Sequence, residues 1–183
     1  RQTAEFVIDQ PRLWNAEQPN LYYLMMECEG EFICQQVAIR KVEARGNVLL
    51  LNGKKFKLKG VNRHDSDPFT GAVISREQFL RDLRLMKEHN INAIRTSHYP
   101  NAPWTLDECD RLGFYVMDEA FDEWRILKGK ELGSNTHESR GYSEWFDQCH
   151  EEDLTVMLLR DRNHPSIVIW SIGNEVPDQT VPE

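Results

Sequence analysis

Asn163-His164-Pro165-Ser166-Ile167-Val168-Ile169-Trp170-Ser171-Ile172-Gly173-Asn174-Glu175 is an apolar run that ends abruptly in a glycine, an amide and a carboxylate. A stretch of Ile, Val and Trp without polar alternation suits a parallel strand covered on both faces. In α/β architectures ligands sit beyond the carboxyl ends of such strands. Glu175 therefore falls where chemistry is expected.

Upstream, three more strands read as Phe56 to Val61, Asn92 to Thr96 and Phe114 to Asp118. Helical patterns separate them. Ser75 with Gln78 has the spacing of a capping box, Phe79, Leu83 and Met86 share one face, and Asn90 ends the helix. A second helix starts near Asn101 with Pro103 in its first turn, and Gly113 is placed to stop it. A third runs from about Ser143 to Asp161, with Phe146, Cys149, Val156 and Met157 toward the sheet. Phe121 to Tyr142 is too long for a minimal connection and has the character of a cleft-shaping loop. Strand-helix alternation of this kind requires a parallel sheet with crossover helices.

Residues 1–50 read differently. Phe6 and Ile8, the Tyr22 to Met26 run, a Glu29-Gly30-Glu31 turn and Phe32 to Ile39 alternate as antiparallel strands do. A hairpin follows, Val48 to Leu51 and Lys55 to Val61 joined at Asn52-Gly53.

With 183 residues, 40% hydrophobic and 28% charged, the chain has the composition of a soluble globular protein of one domain or parts of two. A net charge of −8 without a basic cluster argues against nucleic acid and anionic membrane as partners. No apolar run approaches the roughly 20 residues of a membrane span, and the N-terminus lacks a signal-peptide pattern. The compartment is left open, with the cytoplasm slightly favoured. Cys28, Cys34, Cys109 and Cys149 have no metal or disulfide spacing and read as buried free thiols.

Each of the four parallel strands is followed by polar or ionisable groups: Asn62, His64 and Asp65; Arg95 and His98; Asp118, Glu119 and Glu123; Asn174 and Glu175. Buried charges are costly unless paired, so such a concentration is odd for packing alone. All four sets face one end of the sheet.

These residues carry a resemblance. Asp161 through Glu175 resembles the acid/base signature of glycoside hydrolase family 2, which includes β-galactosidases, β-glucuronidases and β-mannosidases. Asn92 through Pro100, continuing to Asp110, Gly113 and Met117, resembles a second family signature; Gly60-Val61-Asn62-Arg63-His64-Asp65 is most similar to the β-galactosidase branch. The resemblance implies the fold class: the N-terminal half of a (β/α)8 TIM barrel, strands 1–4, in residues 51–183. It also implies the last strands of an immunoglobulin-like β-sandwich in residues 1–50, through Pro11-Arg12-Leu13-Trp14 and Pro19-Asn20-Leu21-Tyr22.

The resemblance further implies a retaining exo-glycosidase acting on terminal β-galactosides, with Glu175 as acid/base. Its partner carboxylate, about 5–5.5 Å away in retaining enzymes, is then a Glu on a later strand, supplied by the remainder of the parent chain. As the general acid, Glu175 needs burial or a second carboxylate to keep its proton. Asn174 donates to the sugar 2-hydroxyl, or is a turn residue after Gly173. His64, Asp65, His98 and Glu119 bind substrate by resemblance, Glu119 and Glu123 being alternative second carboxylates on sequence grounds. Trp124 offers a ring to a sugar or packs in a loop, while Arg95 and Asn62 support the site.

Magnesium would use Glu123 and Glu175, but Arg125 occupies the place where magnesium-dependent galactosidases carry a histidine. No metal is therefore assigned. Rival readings are a β-glucuronidase or β-mannosidase, a carbohydrate-binding or assembly fragment without turnover, and a metal-dependent hydrolase of His64, Asp65, His98, Glu123 and Glu175. A half-barrel with open edges also predicts association, as a homo-oligomer or with a complementary chain, or marginal stability.

Overall fold

A computed structural model describes residues 5–126 and 141–176 of the chain. Its first part is locally paired. β1 (Tyr22–Cys28) and β2 (Glu31–Val37) form an antiparallel hairpin. The turn residues Glu29 and Gly30 both take positive φ, 49° and 87°, which matches the turn to the strand twist. β3 (Val42–Arg45), β4 (Val48–Leu51) and β5 (Lys54–Lys55) make a second antiparallel sheet. Asn52 and Gly53 turn the chain there at φ 53° and 76°. Phe6 and Ile8, expected in a strand, have no ladder partner among the described residues and are exposed.

The parallel architecture begins later than the sequence pattern implies. β5 stops at Lys55 and β6 (Gly60–Arg63) starts five residues further on, so Lys55 to Val61 is not one strand. Phe56 and Leu58 instead pack beside Trp14, Leu51 and Tyr115. β6, β7 (Ala93–Thr96), β8 (Tyr115–Glu119) and β9 (Ile167–Ser171) pair in parallel, each beside its sequence neighbour. A doubly wound sheet needs a reversal of strand order; a barrel wall does not. β9 was expected to be covered on both faces, yet Val168 and Ile169 are half-buried and Trp170 is 38% exposed. Among the described residues, helices cover one face of the sheet and leave the other open.

α1 (Arg76–Glu88) begins where expected, with the Ser75 hydroxyl accepting the Gln78 N–H at 3.1 Å. The reciprocal bond of a capping box is replaced: the Gln78 amide donates to Ser66 O at 3.0 Å, fastening the β6–α1 loop. α2 (Pro103–Leu112) carries proline in its first turn and ends at Gly113 in the left-handed conformation. A 3-10 turn (Tyr142–Glu144) leads into α3 (Phe146–Asp161). Phe146 and Met157 are buried, but Val156 is exposed, so the inward stripe excludes it. No described helix is long and apolar enough to cross a membrane.

Phe79 and Leu83 of α1, Leu106 and Cys109 of α2, and Ile94, Val116 and Ile167 of the strands form the layer between helices and sheet. Each large apolar side chain buried there contributes about 1.5–3 kcal/mol. Of the cysteines, Cys109 is buried, whereas Cys28 and Cys34 are exposed on the hairpin, contrary to expectation. A second cluster closes the amino-terminal end of the strands. There the Trp14 indole donates to Asp110 O at 2.9 Å, and the Lys87 ammonium donates to Ala16 O at 3.1 Å and also to Gly113 O. Arg40 reaches across to Pro165 O at 2.6 Å. His164, one residue earlier, donates to Asp110, which also accepts the Ser166 N–H at 2.9 Å.

Strand alternation sends Asp118 toward the helices and Glu119 to the opposite face. Asp118 is 1% exposed, and one of its oxygens has no hydrogen-bond partner while both are deprotonated with Asp161. Arg160 grips Asp161 with two hydrogen bonds of 2.6 Å. A proton held by Asp118 satisfies the orphaned oxygen. Burial, then the Asp161 charge, pushes the Asp118 carboxyl up to about 7, against the opposing pull of Arg160 and Thr96.

Two consequences are measurable. Gly113 combines φ 76° with a position where a Cβ would lie 2.3 Å from Ala16 O. Gly113→Ala is therefore expected to lower stability in denaturant titration by about 2–4 kcal/mol. Asp118 keeps its proton in the folded chain when the unfolded chain has lost it, so its contribution is complete below the ordinary carboxylate range and is lost as pH rises toward about 7. Asp118→Asn should flatten the pH dependence of the melting temperature across that window.

Candidate active site

Three strand ends converge on one buried carboxylate. Glu119, the last residue of β8, has no exposed surface. Arg95 of β7 donates to its Oε2 through Nε at 2.6 Å, and the Ser171 hydroxyl at the end of β9 donates to the same oxygen at 2.6 Å. His98 donates from Nδ1 to Oε1 at 2.6 Å. A buried anion requires such compensation, because stripping its water costs several kcal/mol. The Glu119 N–H in turn donates to the Thr96 hydroxyl at 2.9 Å.

Glu119, expected to bind substrate, has both oxygens engaged by Arg95, His98 and Ser171 and no exposed surface. Its grip fixes His98: with Nδ1–H on the carboxylate, Nε2 remains for another partner. The His64 ring, exposed after β6, meets the His98 ring edge-on at 5.0 Å. The two histidine rings thus lie side by side.

Arg95 extends the network to the turn after β9, donating to Asn174 Oδ1 at 3.0 Å. Asn174 donates to Asp122 at 3.0 Å. One amide hydrogen of Asn174 is thereby used, and the second is the one that could meet a hydroxyl. Glu175 follows at φ 47° and is exposed. The burial expected of a general acid is not supplied by the described residues. Glu175 lines an open cleft of about 580 Å³ with Trp124, Trp170 and Met117.

Asp65 departs from its expected role. Arg63 donates to one of its oxygens and the Asn101 amide to the other at 3.1 Å, and the carboxylate is 10% exposed. Its place is to hold Arg63, which also pairs with Asp82 at 2.8 Å and lies 4.6 Å above the Phe79 ring. Asn62, in register with Arg95, is exposed and forms no hydrogen bond with these groups among the described residues. It therefore does not brace the site. Trp124 donates its indole N–H to Ile172 O at 2.8 Å.

Among the described residues, His64, Asp65, His98, Glu123 and Glu175 do not form one group close enough to share an ion. Glu123 is 5% exposed and accepts the Ser143 N–H at 3.1 Å. Arg125 pairs with Asp147. Among the described residues, Asp107, Asp110 and His164 are the one group of three such side chains close enough to share an ion. They lie at the opposite end of the strands, with Asp110 already bound to His164 and Ser166.

Sequence reading missed Ser171, Asp122, Thr96 and Asn101. Ser171 left a trace, as the one polar residue inside the run Ile167 to Ile172. His89, the C-cap of α1, and His150 of α3 each place Nδ1 on a carbonyl four positions back. His137 and most of the loop from Phe121 to Tyr142 lie outside the described residues.

Residues 42–181 match the sequence pattern of "Glycosyl hydrolases family 2, TIM barrel domain". The β-galactosidase of Actinobacillus pleuropneumoniae is 40% identical over 191 residues, covering 92% of this chain and 19% of that enzyme. Among solved structures, a β-glycosidase from Bacteroides vulgatus superposes with a TM-score of 0.81 at 36% identity, over 93% of this chain and 22% of its own. A β-galacturonidase from Eisenbergiella tayi bound to galacturonate reaches 0.80 at 31% identity, over 97% and 30%. The chain thus spans about a fifth of the length of its curated relative. The parallel sheet is part of a TIM barrel, and the chain belongs to glycosyl hydrolase family 2.

Proposed function

We propose that this chain supplies the acid/base residue and part of the sugar pocket of a retaining exo-β-galactosidase. The observation that carries the reading is the Glu119 knot, which joins the ends of β7, β8 and β9 and sets His98 and Asn174 beside the turn bearing Glu175. Glu175 protonates the departing glycosidic oxygen and then, as carboxylate, takes a proton from water as it attacks. His98 and His64 hold sugar hydroxyls, and Asn174 offers its remaining amide hydrogen to the 2-hydroxyl. Glu119 is too firmly held to be the nucleophile, which fits a second carboxylate from a later strand of the parent protein. Residues 51–183 are read as barrel strands 1–4 and residues 1–50 as the end of an immunoglobulin-like sandwich. No step passes through a metal.

A neutral sugar is favoured over a uronic acid by the state of the arginines. A sugar carboxylate calls for an available cation. Among the described residues, Arg63 is held by Asp65 and Asp82, and Arg95 by Glu119 and Asn174. Chromogenic β-galactoside, β-glucuronide, β-galacturonide and β-mannoside should be offered to the full-length parent and its Glu175→Gln variant. Galactoside turnover that dominates in the parent and falls by about 10²–10⁴-fold in the variant is the expected result; a dominant uronide would overturn the sugar assignment. The 183-residue chain alone should show no turnover.

Arg95→Leu removes the partner of a fully buried carboxylate. In the parent it should lower barrel stability by about 3–5 kcal/mol in denaturant titration. A variant as stable as the parent at neutral pH would contradict the central role given to this pair.

A further inference from the structure

The turn that bears Glu175 is tied to the loop after β8 at two points. Asn174 reaches Asp122 at 3.0 Å, and the Trp124 indole N–H reaches Ile172 O at 2.8 Å. Ile172 is the first residue past β9, where the strand ladder has ended and a carbonyl needs another donor. The indole takes over from the ladder.

Gly173 is shaped to this contact. It is not among the positive-φ glycines, so no backbone requirement explains it. A Cβ at residue 173 would stand 2.7 Å from Trp124 Nε1 and 2.8 Å from a Val176 methyl. The glycine gives the ring room.

Behind Trp124 the anchoring continues into a helix. Its ring stacks on Phe146, the first residue of α3, with centroids 5.7 Å apart and planes 28° apart. Phe146 stacks on His150 at 4.6 Å and meets Phe121 edge-on at 5.6 Å. Ahead of it, Glu175 takes φ 47°, a left-handed conformation uncommon for a glutamate. Helix, aromatic stack, indole N–H and the Ile172 carbonyl thus form one continuous support for the acid.

We infer that Trp124 is a positioning residue for Glu175, holding the acid/base carboxyl in reach of the leaving oxygen through Ile172 and Gly173, rather than a stacking platform for sugar. The inference rests on Glu175 being the acid/base. A general acid displaced by about 1 Å loses on the order of 10²-fold in rate. That loss must depend on the leaving group, because a phenol acidic enough to depart unprotonated does not need the acid.

The test uses the full-length parent, with Trp124→Phe, which keeps a ring but removes the N–H, and Gly173→Ala, which keeps the N–H but crowds it. Glu175→Gln is the reference. Each is assayed on β-galactosides with dinitrophenyl, nitrophenyl and alkyl leaving groups, with melting temperatures recorded alongside. Both variants should lose about 10–100-fold in kcat on alkyl galactosides and less than about 3-fold in kcat/KM on the dinitrophenyl compound, with little change in KM. They would follow the trend of Glu175→Gln in weaker form. Raised KM with unchanged kcat would make Trp124 a sugar contact and overturn the proposal. Equal losses for every leaving group would reduce it to a structural residue. If Glu175→Gln itself shows no dependence on leaving group, the acid/base assignment fails and the positioning role falls with it. A Trp124→Phe protein that does not fold leaves Gly173→Ala to decide by the same criteria.

Discussion

A carboxylate without solvent is the constraint around which this site is built. Glu119 has no exposed surface, and its charge is tolerable only because Arg95, His98 and Ser171 reach it together. Those partners come from the β7 and β9 segments on either side of β8, so the energetic demand of one anion sets the spacing of three strand ends. Loss of any donor leaves a charge with incomplete compensation, which is more damaging than absence of the whole network. Arg95 and His98 are pinned by the same bonds, and through Arg95 so is Asn174. Placement of the polar groups is therefore a by-product of paying for one buried charge.

The neighbouring residue solves the opposite problem. Asp118 and Glu119 are adjacent, but strand alternation puts them on opposite faces of the sheet. Glu119 meets a cation and two further donors, whereas Asp118 meets another carboxylate, Asp161, whose own arginine is already engaged. The first environment surrounds its carboxyl with donors, whereas the second favours a retained proton on Asp118. Two acids in one dipeptide thus separate by environment, and both serve to fix β8 between its neighbours.

Much of the architecture was legible because its signals are local. Ser75, Pro103 and Gly113 mark helix ends through backbone chemistry that does not depend on tertiary contacts. The polar groups after each apolar strand likewise marked the end of the sheet where the site lies. The start of β6 was misread because Phe56, Leu58 and Val61 are all apolar, yet Phe56 and Leu58 are used to cover Trp14 and Tyr115. Val156 was misread because an apolar residue near the edge of a helix stripe does not reveal which side of that edge it occupies. Individual roles were the least legible. Asp65 and Glu119 carry the charge expected of sugar-binding residues, and their engagement by Asn101, Arg95 and Ser171, 24 to 52 positions away, was not readable from the sequence.

Position and acidity of a catalytic carboxyl are separate requirements, and on the proposed reading this chain supplies the first. Glu175 sits on a turn fixed at Ile172 and Asn174, in a backbone conformation uncommon for a glutamate, yet its side chain is exposed to an open cleft. Preorganised geometry needs only rigid neighbours, which α3 and the β8 loop provide. A retained proton at neutral pH needs a low dielectric or a second negative charge on the other side of the cleft. A nucleophilic carboxylate about 5–5.5 Å away provides that charge in a retaining glycosidase. The same group that attacks the anomeric carbon would then also complete the acid, so on this chemistry the two carboxylates depend on each other for more than their separate steps.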